Sequence, residues 1–358
     1  CGGRRPAGPS TGSTPSSKDA ATPMLGWSNP RSSLSREPDV NSALVVEVTR
    51  GDRIESRHEV DAVVVDPFGR LVGSWGEPHR AVLPRSALKP IQALPLVDTG
   101  AADAFGLTDA ELALACASHQ GELRHEEAVT AWLSRLPGGT SSLACGTHPP
   151  LSEEAAQTLA ASGHPPTAIH NNCSGKHAGF LTVVAHLGLK VDGYLDPGHP
   201  LHVDHVTPAI ERTCGVDLAD GRPGVDGCGI PVWSVALDRL ANGWATLGES
   251  TAGSSAHRLL SAMRAEPFLV AGTGRACTRL IGTATGGTVA KAGAEGVFCA
   301  VVPDEHLGLA LKVRDGGARA AEAVATWLLA RLGHLDAAPF EVLVNRAGRP
   351  VGEVRVTS

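Results

Sequence analysis

Strand-forming residues crowd both ends of this 358-residue chain while its middle has helical spacing, and that distribution restricts the fold more than any single motif. Runs rich in Val, Leu, Ala and Trp predict strands over 43–49, 60–65 and 71–75, with Asp66-Pro-Phe-Gly69 as the turn between the last two. Strand character returns over 288–291, 297–302 and 307–313, and a hairpin over 341–344 and 351–356 closes the chain across Arg346-Ala-Gly-Arg349. Between them, apolar residues at helical spacing predict helices over 126–136, 152–161, 175–187, 201–213, 232–247 and 256–265, with another over 318–332. Thr108-Asp-Ala-Glu111 is a capping box that opens a further helix running toward Cys116. Strands so far apart can share a core only if the chain ends meet. The expectation is an α+β fold, an antiparallel sheet flanked by helices plus a helical lobe.

Residues 1–40 are rich in Gly, Pro, Ser and Thr without periodicity, and a disordered tail is expected there, followed by one domain over 41–358. Met24 is a candidate true start; a second reading makes Cys1 the acylated first residue of a tethered lipoprotein, but no signal segment supports it. A net charge of −6 gives no electrostatic footprint for nucleic acid. No apolar run approaches the ~18 residues that a membrane span needs. Eight cysteines spread over so long a chain lack the density of a disulfide scaffold, so reduced thiols and a cytoplasmic enzyme are expected.

The chain holds 31 Lys and Arg, but only six are Lys: Lys18, Lys89, Lys176, Lys190, Lys291 and Lys312. A guanidinium keeps its proton, whereas a buried ammonium can lose one and act as base or ligand. Three of the six stand in unusual settings. In Ser86-Ala-Leu-Lys89 the hydroxyl and amine share one helical face, with Pro84 and Pro90 compatible with a helix start. A serine there can be a nucleophile with the lysine as its base. Ser118-His-Gln120 follows the capped helix, and Lys291-Ala-Gly293 ends a predicted strand. That order resembles the Ser-x-x-Lys, second-serine and Lys-Thr-Gly motifs of β-lactamases and penicillin-binding proteins, except that Ala292 replaces the Thr that helps bind a substrate carboxylate. A turn serine and a solvated strand-end lysine are the plain alternative.

The third setting is His170-Asn-Asn-Cys-Ser-Gly-Lys-His-Ala-Gly179, with Asp226-Gly-Cys228-Gly further on. Cys173 and Cys228 suit Zn²⁺, with a nitrogen from Lys176 or His177 as third ligand and a fourth position open; two buried free thiols are the alternative. Arg85 and Asp226 stand beside these groups and could clamp the charged ends of a small zwitterion.

Four stretches together resemble the rhizobial-type bacterial L-asparaginases. They are Pro84-Arg-Ser-Ala-Leu-Lys-Pro-Ile-Gln92, Cys116-Ala-Ser-His-Gln-Gly-Glu122, the run from His170 to Gly179, and Val225-Asp-Gly-Cys-Gly-Ile-Pro231. The resemblance implies a serine β-lactamase-like fold, a homodimer, and hydrolysis of asparagine to aspartate and ammonia. It further implies catalytic Ser86, Lys89, Ser118 and Lys291, zinc on Cys173, Lys176 and Cys228, and Arg85 and Asp226 at the substrate and metal pocket. A penicillin-interacting serine hydrolase and a non-catalytic, zinc-stabilised amino-acid-binding protein are the alternatives.

Overall fold

The computed structural model of the chain describes residue 2 and residues 42–336 and 340–357. The tail expected over 1–40 lies, but for residue 2, outside the described residues.

One antiparallel sheet of eight strands joins the two ends of the chain. Its strands are β1 (Leu44–Arg50), β2 (Arg53–Val65), β3 (Leu71–Trp75), β4 (Val289–Ala292), β5 (Val297–Val302), β6 (Leu307–Val313), β7 (Phe340–Val344) and β8 (Pro350–Thr357). The order is β7-β8-β1-β2-β6-β5-β4, with β3 added alongside β2. Along one edge, β2 pairs first with β1 and then with β3, while its residues 60–65 pair with β6 on the other edge. Those residues are buried throughout, whereas the first half of the strand is largely exposed. The strand therefore starts at Arg53, earlier than its apolar residues suggest. Polar Arg53–Glu59 is held by the ladder to β1 and by the Arg57–Glu47 ion pair.

Helices cover the central strands. Among the described residues the nine longer ones are α1 (Asp109–Ala115), α2 (Leu123–Leu133), α3 (Glu153–Ser162), α4 (Ser174–His186), α5 (Thr207–Cys214), α6 (Leu237–Gly248), α7 (Ser255–Ala265), α8 (Ala276–Thr283) and α9 (Ala318–Arg331). α6 packs on β2, β5 and β6. The approach is so close that a Cβ on Gly308 would stand 2.1 Å from the Ala241 carbonyl oxygen, which makes glycine necessary in that strand. The alternate residues Leu307, Leu309 and Leu311 are buried too, and α9 packs on β5, β6 and β8. Burial on both faces explains why these strands read as continuous apolar runs.

Two expected helices are altered. The one expected over 232–247 starts at Leu237, because Pro231–Val232 and Val235–Ala236 pair as short ribbons with Gly224–Val225 and Ala81–Val82. The one expected over 201–213 begins as a π-helix, Leu201–Val206, and becomes α only at Thr207. Pro208 has no N–H for residue 204, and its ring crowds that carbonyl, so the wider turn fits.

The helical lobe is built on α1, α4 and α7. A Cβ on Gly175 would meet the Leu114 carbonyl oxygen at 2.4 Å, so only glycine lets the start of α4 lie against the end of α1. Buried Trp132 donates its indole N–H to Thr182 Oγ1 at 3.1 Å, tying α2 to α4. Among the described residues, no helix is long and apolar enough to cross a membrane, and all seven described cysteines other than Cys1 are free and buried.

Candidate active site

Residues 85–104 form a stepped helical segment: a 3-10 turn, Arg85–Leu88, then short α-helical pieces Lys89–Gln92, Leu94–Asp98 and Ala101–Ala104. Proline stands at the N-terminus of three of these steps, where a missing N–H costs nothing. Ser86 is half-buried on the first turn and Lys89 is fully buried one turn on. Arg85 has φ 52°, a left-handed conformation costing about 1 kcal/mol or more for a non-glycine residue. The Arg85 side chain is tied down by Asp226, whose Oδ1 accepts from both Nε and a terminal nitrogen at 2.7 Å. The pair expected to clamp a zwitterion thus neutralises itself.

Two amines meet on one hydroxyl. Lys89 Nζ lies 3.0 Å from Ser118 Oγ, and Lys291 Nζ lies 2.8 Å from the same oxygen. Lys89 donates further to the carbonyls of Ala117 at 2.5 Å and Asn172 at 3.4 Å, so its amine has three acceptors around it. Lys291 has one other partner, the Ala292 carbonyl at 2.8 Å. Burial lowers the Lys291 amine to about 7, and the Lys89 charge pushes the same way. Lys291 therefore gives up its proton near neutrality. Its neutral form donates to Ala292 and accepts from the Ser118 hydroxyl. No hydrogen bond of the Ser86 hydroxyl occurs among the described residues, which leaves it open toward an incoming substrate.

Lys291 arrives on β4, the edge strand, whose continuation at Gly293 lies against the Ser86 turn: a Cβ there would stand 2.6 Å from the Pro84 carbonyl oxygen. The strand's N–H groups are engaged, Ala292 with Cys277 Sγ at 3.1 Å and Gly293 with the Val297 carbonyl at 2.7 Å. Sulfur is a weak acceptor, so only the Ala292 N–H is readily released to an oxyanion.

A second buried corner adjoins the bridge. Lys176, at the start of α4, donates to Cys228 Sγ at 2.9 Å and stands over the Phe180 ring at 5.7 Å. Its neighbour His177 turns away, with Nδ1 2.8 Å from the Tyr194 hydroxyl. The amine and not the imidazole therefore joins the thiols. A hydrogen bond from the Cys228 thiol, aided by the Lys89 and Lys176 charges, holds Cys173 well below the usual thiol range; Cys228 is raised in turn. Burial would lower Lys176, but the two sulfurs outweigh it and its amine is raised. Burial would likewise raise the Asp226 carboxyl, but Lys176 and Arg85 together hold it below the usual range.

One wall of the site is absent from the sequence reading. The loop from Val270 to Cys277 runs between Ser118 and Ala292. The Ser118 N–H donates to the Val270 carbonyl at 3.0 Å, Gln120 Nε2 to the Thr273 carbonyl at 2.8 Å, and the Ala292 N–H to Cys277 Sγ. Glu122 clasps the loop by accepting from the N–H and hydroxyl of Thr273, each at 2.7 Å. Gly272 and Gly274 both have positive φ, so the run Gly-Thr-Gly was the available signal that a sharp loop stands here.

A serine on a helical turn, a lysine one turn on, and a second hydroxyl shared with a lysine of lowered pKa are groups of the kind from which an activated serine nucleophile can be built. The family model for L-asparaginase II matches residues 46–356, and the chain belongs to that family. It is an amidohydrolase that acts on L-asparagine. None of the curated proteins matches it. Solved structures similar to it include a β-lactamase from Mycobacterium bovis, at 16% identity over 76% of this chain and 94% of that one with a TM-score of 0.40. A D-alanine carboxypeptidase from Burkholderia cenocepacia is 15% identical over 76% and 92% of the two chains, with a TM-score of 0.37.

Proposed function

We propose that asparagine is hydrolysed through an acyl-enzyme on Ser86. The observation that carries this reading is the Lys89–Ser118–Lys291 bridge, buried one helical turn from an accessible hydroxyl. A proton passes from Lys89 through Ser118 to Lys291, whose amine is neutral above about pH 7 and so has a lone pair free to take it. Neutral Lys89 then takes the Ser86 proton as Oγ bonds to the side-chain amide carbon. The Ser86 N–H and the Ala292 N–H, released from Cys277, face the developing oxyanion, each such donor being worth ~3 kcal/mol. The carbon–nitrogen bond breaks, ammonia leaves with a proton from the relay, and water cleaves the ester to release aspartate.

A second reading has one observation in its favour: Ser118, and not Ser86, is the hydroxyl held by both amines. Acid-quenched wild type incubated with asparagine should carry an aspartyl group on the peptide containing Ser86. Ser86→Ala should lose the adduct and about a thousandfold or more of the turnover. An adduct on the Ser118 peptide, or a fully active Ser86→Ala enzyme, would assign the nucleophile to Ser118. Ammonia release from asparagine, glutamine and buffer alone, beside labelling by a fluorescent penicillin, separates the amidohydrolase from a penicillin-interacting relative.

The proposal includes zinc, a homodimer and a cytoplasmic location, all resting on the motif resemblance. Among the described residues no three His, Cys, Asp or Glu converge, so a metal here depends on the Lys176 amine as a third donor. The buried Cys173, Cys228 and Lys176 fit that need, with Cys173 already disposed to the thiolate form. These three would hold Zn²⁺, and the ion when bound would supply a positive charge that orients the substrate. Elemental analysis of purified protein, with Cys228→Ser as the control, tests the metal. Light scattering tests the dimer.

A further inference from the structure

An asparaginase must hold the α-carboxylate of its substrate, and the groups first in line for that task are occupied. Arg85 is bound by Asp226, Lys176 by Cys228, and Lys89 by Ala117, Ser118 and Asn172. Position 292, on the strand that carries Lys291, offers a methyl group and no hydroxyl.

Arg275 remains. It is half-buried and ends the Gly-Thr-Gly turn of the loop whose two ends are fastened to Ser118 and to Ala292. That loop is anchored on both sides of the bridged amines, which places residue 275 beside the site and not on a distant surface. Its charge acts on Lys291. It also acts on the Glu322 carboxyl, though among the described residues the two form no salt bridge. A half-buried guanidinium that forms no ion pair among the described residues, next to a site for a zwitterionic substrate, offers the planar pair of donors that the substrate's α-carboxylate matches.

We propose that Arg275 binds the α-carboxylate of the substrate, and that it is the residue by which this enzyme selects free amino-acid amides over their esters and over amides within peptides. The proposal rests on the asparagine reading above. It also accounts for the methyl group at position 292, since an arginine from the facing loop takes over what a strand hydroxyl would do.

The test compares L-asparagine with its α-methyl ester, which has nearly the same shape and lacks the charge, with ammonia release as the readout. Arg275→Gln should raise KM for asparagine about tenfold or more while kcat stays within about threefold, the signature of lost binding that ground and transition states share. For the ester, kcat/KM should change by less than about threefold, and Arg275→Lys should recover part of the loss on asparagine. The acid-to-ester ratio is internal to each protein, so a variant that folds less well still gives an answer. An unchanged KM for asparagine, or equal losses on both substrates, overturns the proposal. Wild-type enzyme that releases no ammonia from asparagine refutes the asparagine reading itself, and this inference with it. Active wild type beside an unaffected Arg275→Gln refutes this inference alone.

Discussion

The burial of Lys291, which readies its amine for the proposed relay, also costs stability. Its amine falls from 10.5 to about 7 on folding, chiefly through burial. At 1.36 kcal/mol per unit, the folded state is penalised by about 5 kcal/mol at every pH below 7. Between pH 7 and 10.5 the unfolded chain binds more protons than the folded one, so stability rises with pH across that window. Above it the penalty is gone. Lys291→Met keeps the buried stem and removes the charge, at the loss of hydrogen bonds to Ser118 and Ala292 worth about 1 kcal/mol each. The variant should therefore be about 3 kcal/mol more stable than wild type at pH 6.5, with almost no asparaginase activity. Its advantage should shrink by about 1.4 kcal/mol per pH unit above 7 and vanish near pH 9. Urea titrations of both proteins at pH 6.5, 8 and 9 measure the difference, and other titrating groups cancel in it. Wild-type kcat/KM should rise through about pH 7 on the same ionisation. A variant less stable at pH 6.5, or a gap that ignores pH, would refute the assignment of Lys291 as a buried, readily neutral amine.

Two further substitutions test how the site is held. Gly175→Ala drives a Cβ to within 2.4 Å of the Leu114 carbonyl oxygen, so it should cost about 1–3 kcal/mol in thermal melts and at least about tenfold in kcat by shifting the Asn172 carbonyl, just before α4, against Lys89. A wild-type melt with full activity would show that the close contact of α1 and α4 is not needed. Asp61, fully buried on β2, receives Arg314 through two nitrogens and the Glu77 N–H. Two strands, β6 and β5, separate β2 from β4. Asp61→Asn should thus cost about 2–4 kcal/mol in urea titration and leave kcat within about twofold; a large fall in kcat with unchanged stability would contradict the separation.

The parts of this molecule that were legible in the sequence are those fixed by local chemistry. The buried strands read clearly because both faces are covered, and the capping box at Thr108 and Glu111 forms as its spacing requires. The first half of β2 did not, because Arg53–Glu59 is held by cross-strand pairing with little burial of its own. The Ser86–Lys89 spacing is local and could be read, but the carbonyls of Ala117 and Asn172 that receive the lysine carry no side-chain signature. The choice between Lys176 and His177 was open in sequence, since adjacent helical residues point about 100° apart and only packing decides which meets Cys228. The loop 270–277 stayed hidden for the same reason: its role depends on what its ends are fastened to. These limits share one origin in the topology. Lys291 lies on β4, which hydrogen-bonds to β5, then β6, then β2, and β2 leads through β3 to the Ser86 turn. The strand pairings along that path therefore set how far Lys291 lies from the segment that carries Ser86 and Lys89, a distance that no local stretch of sequence encodes.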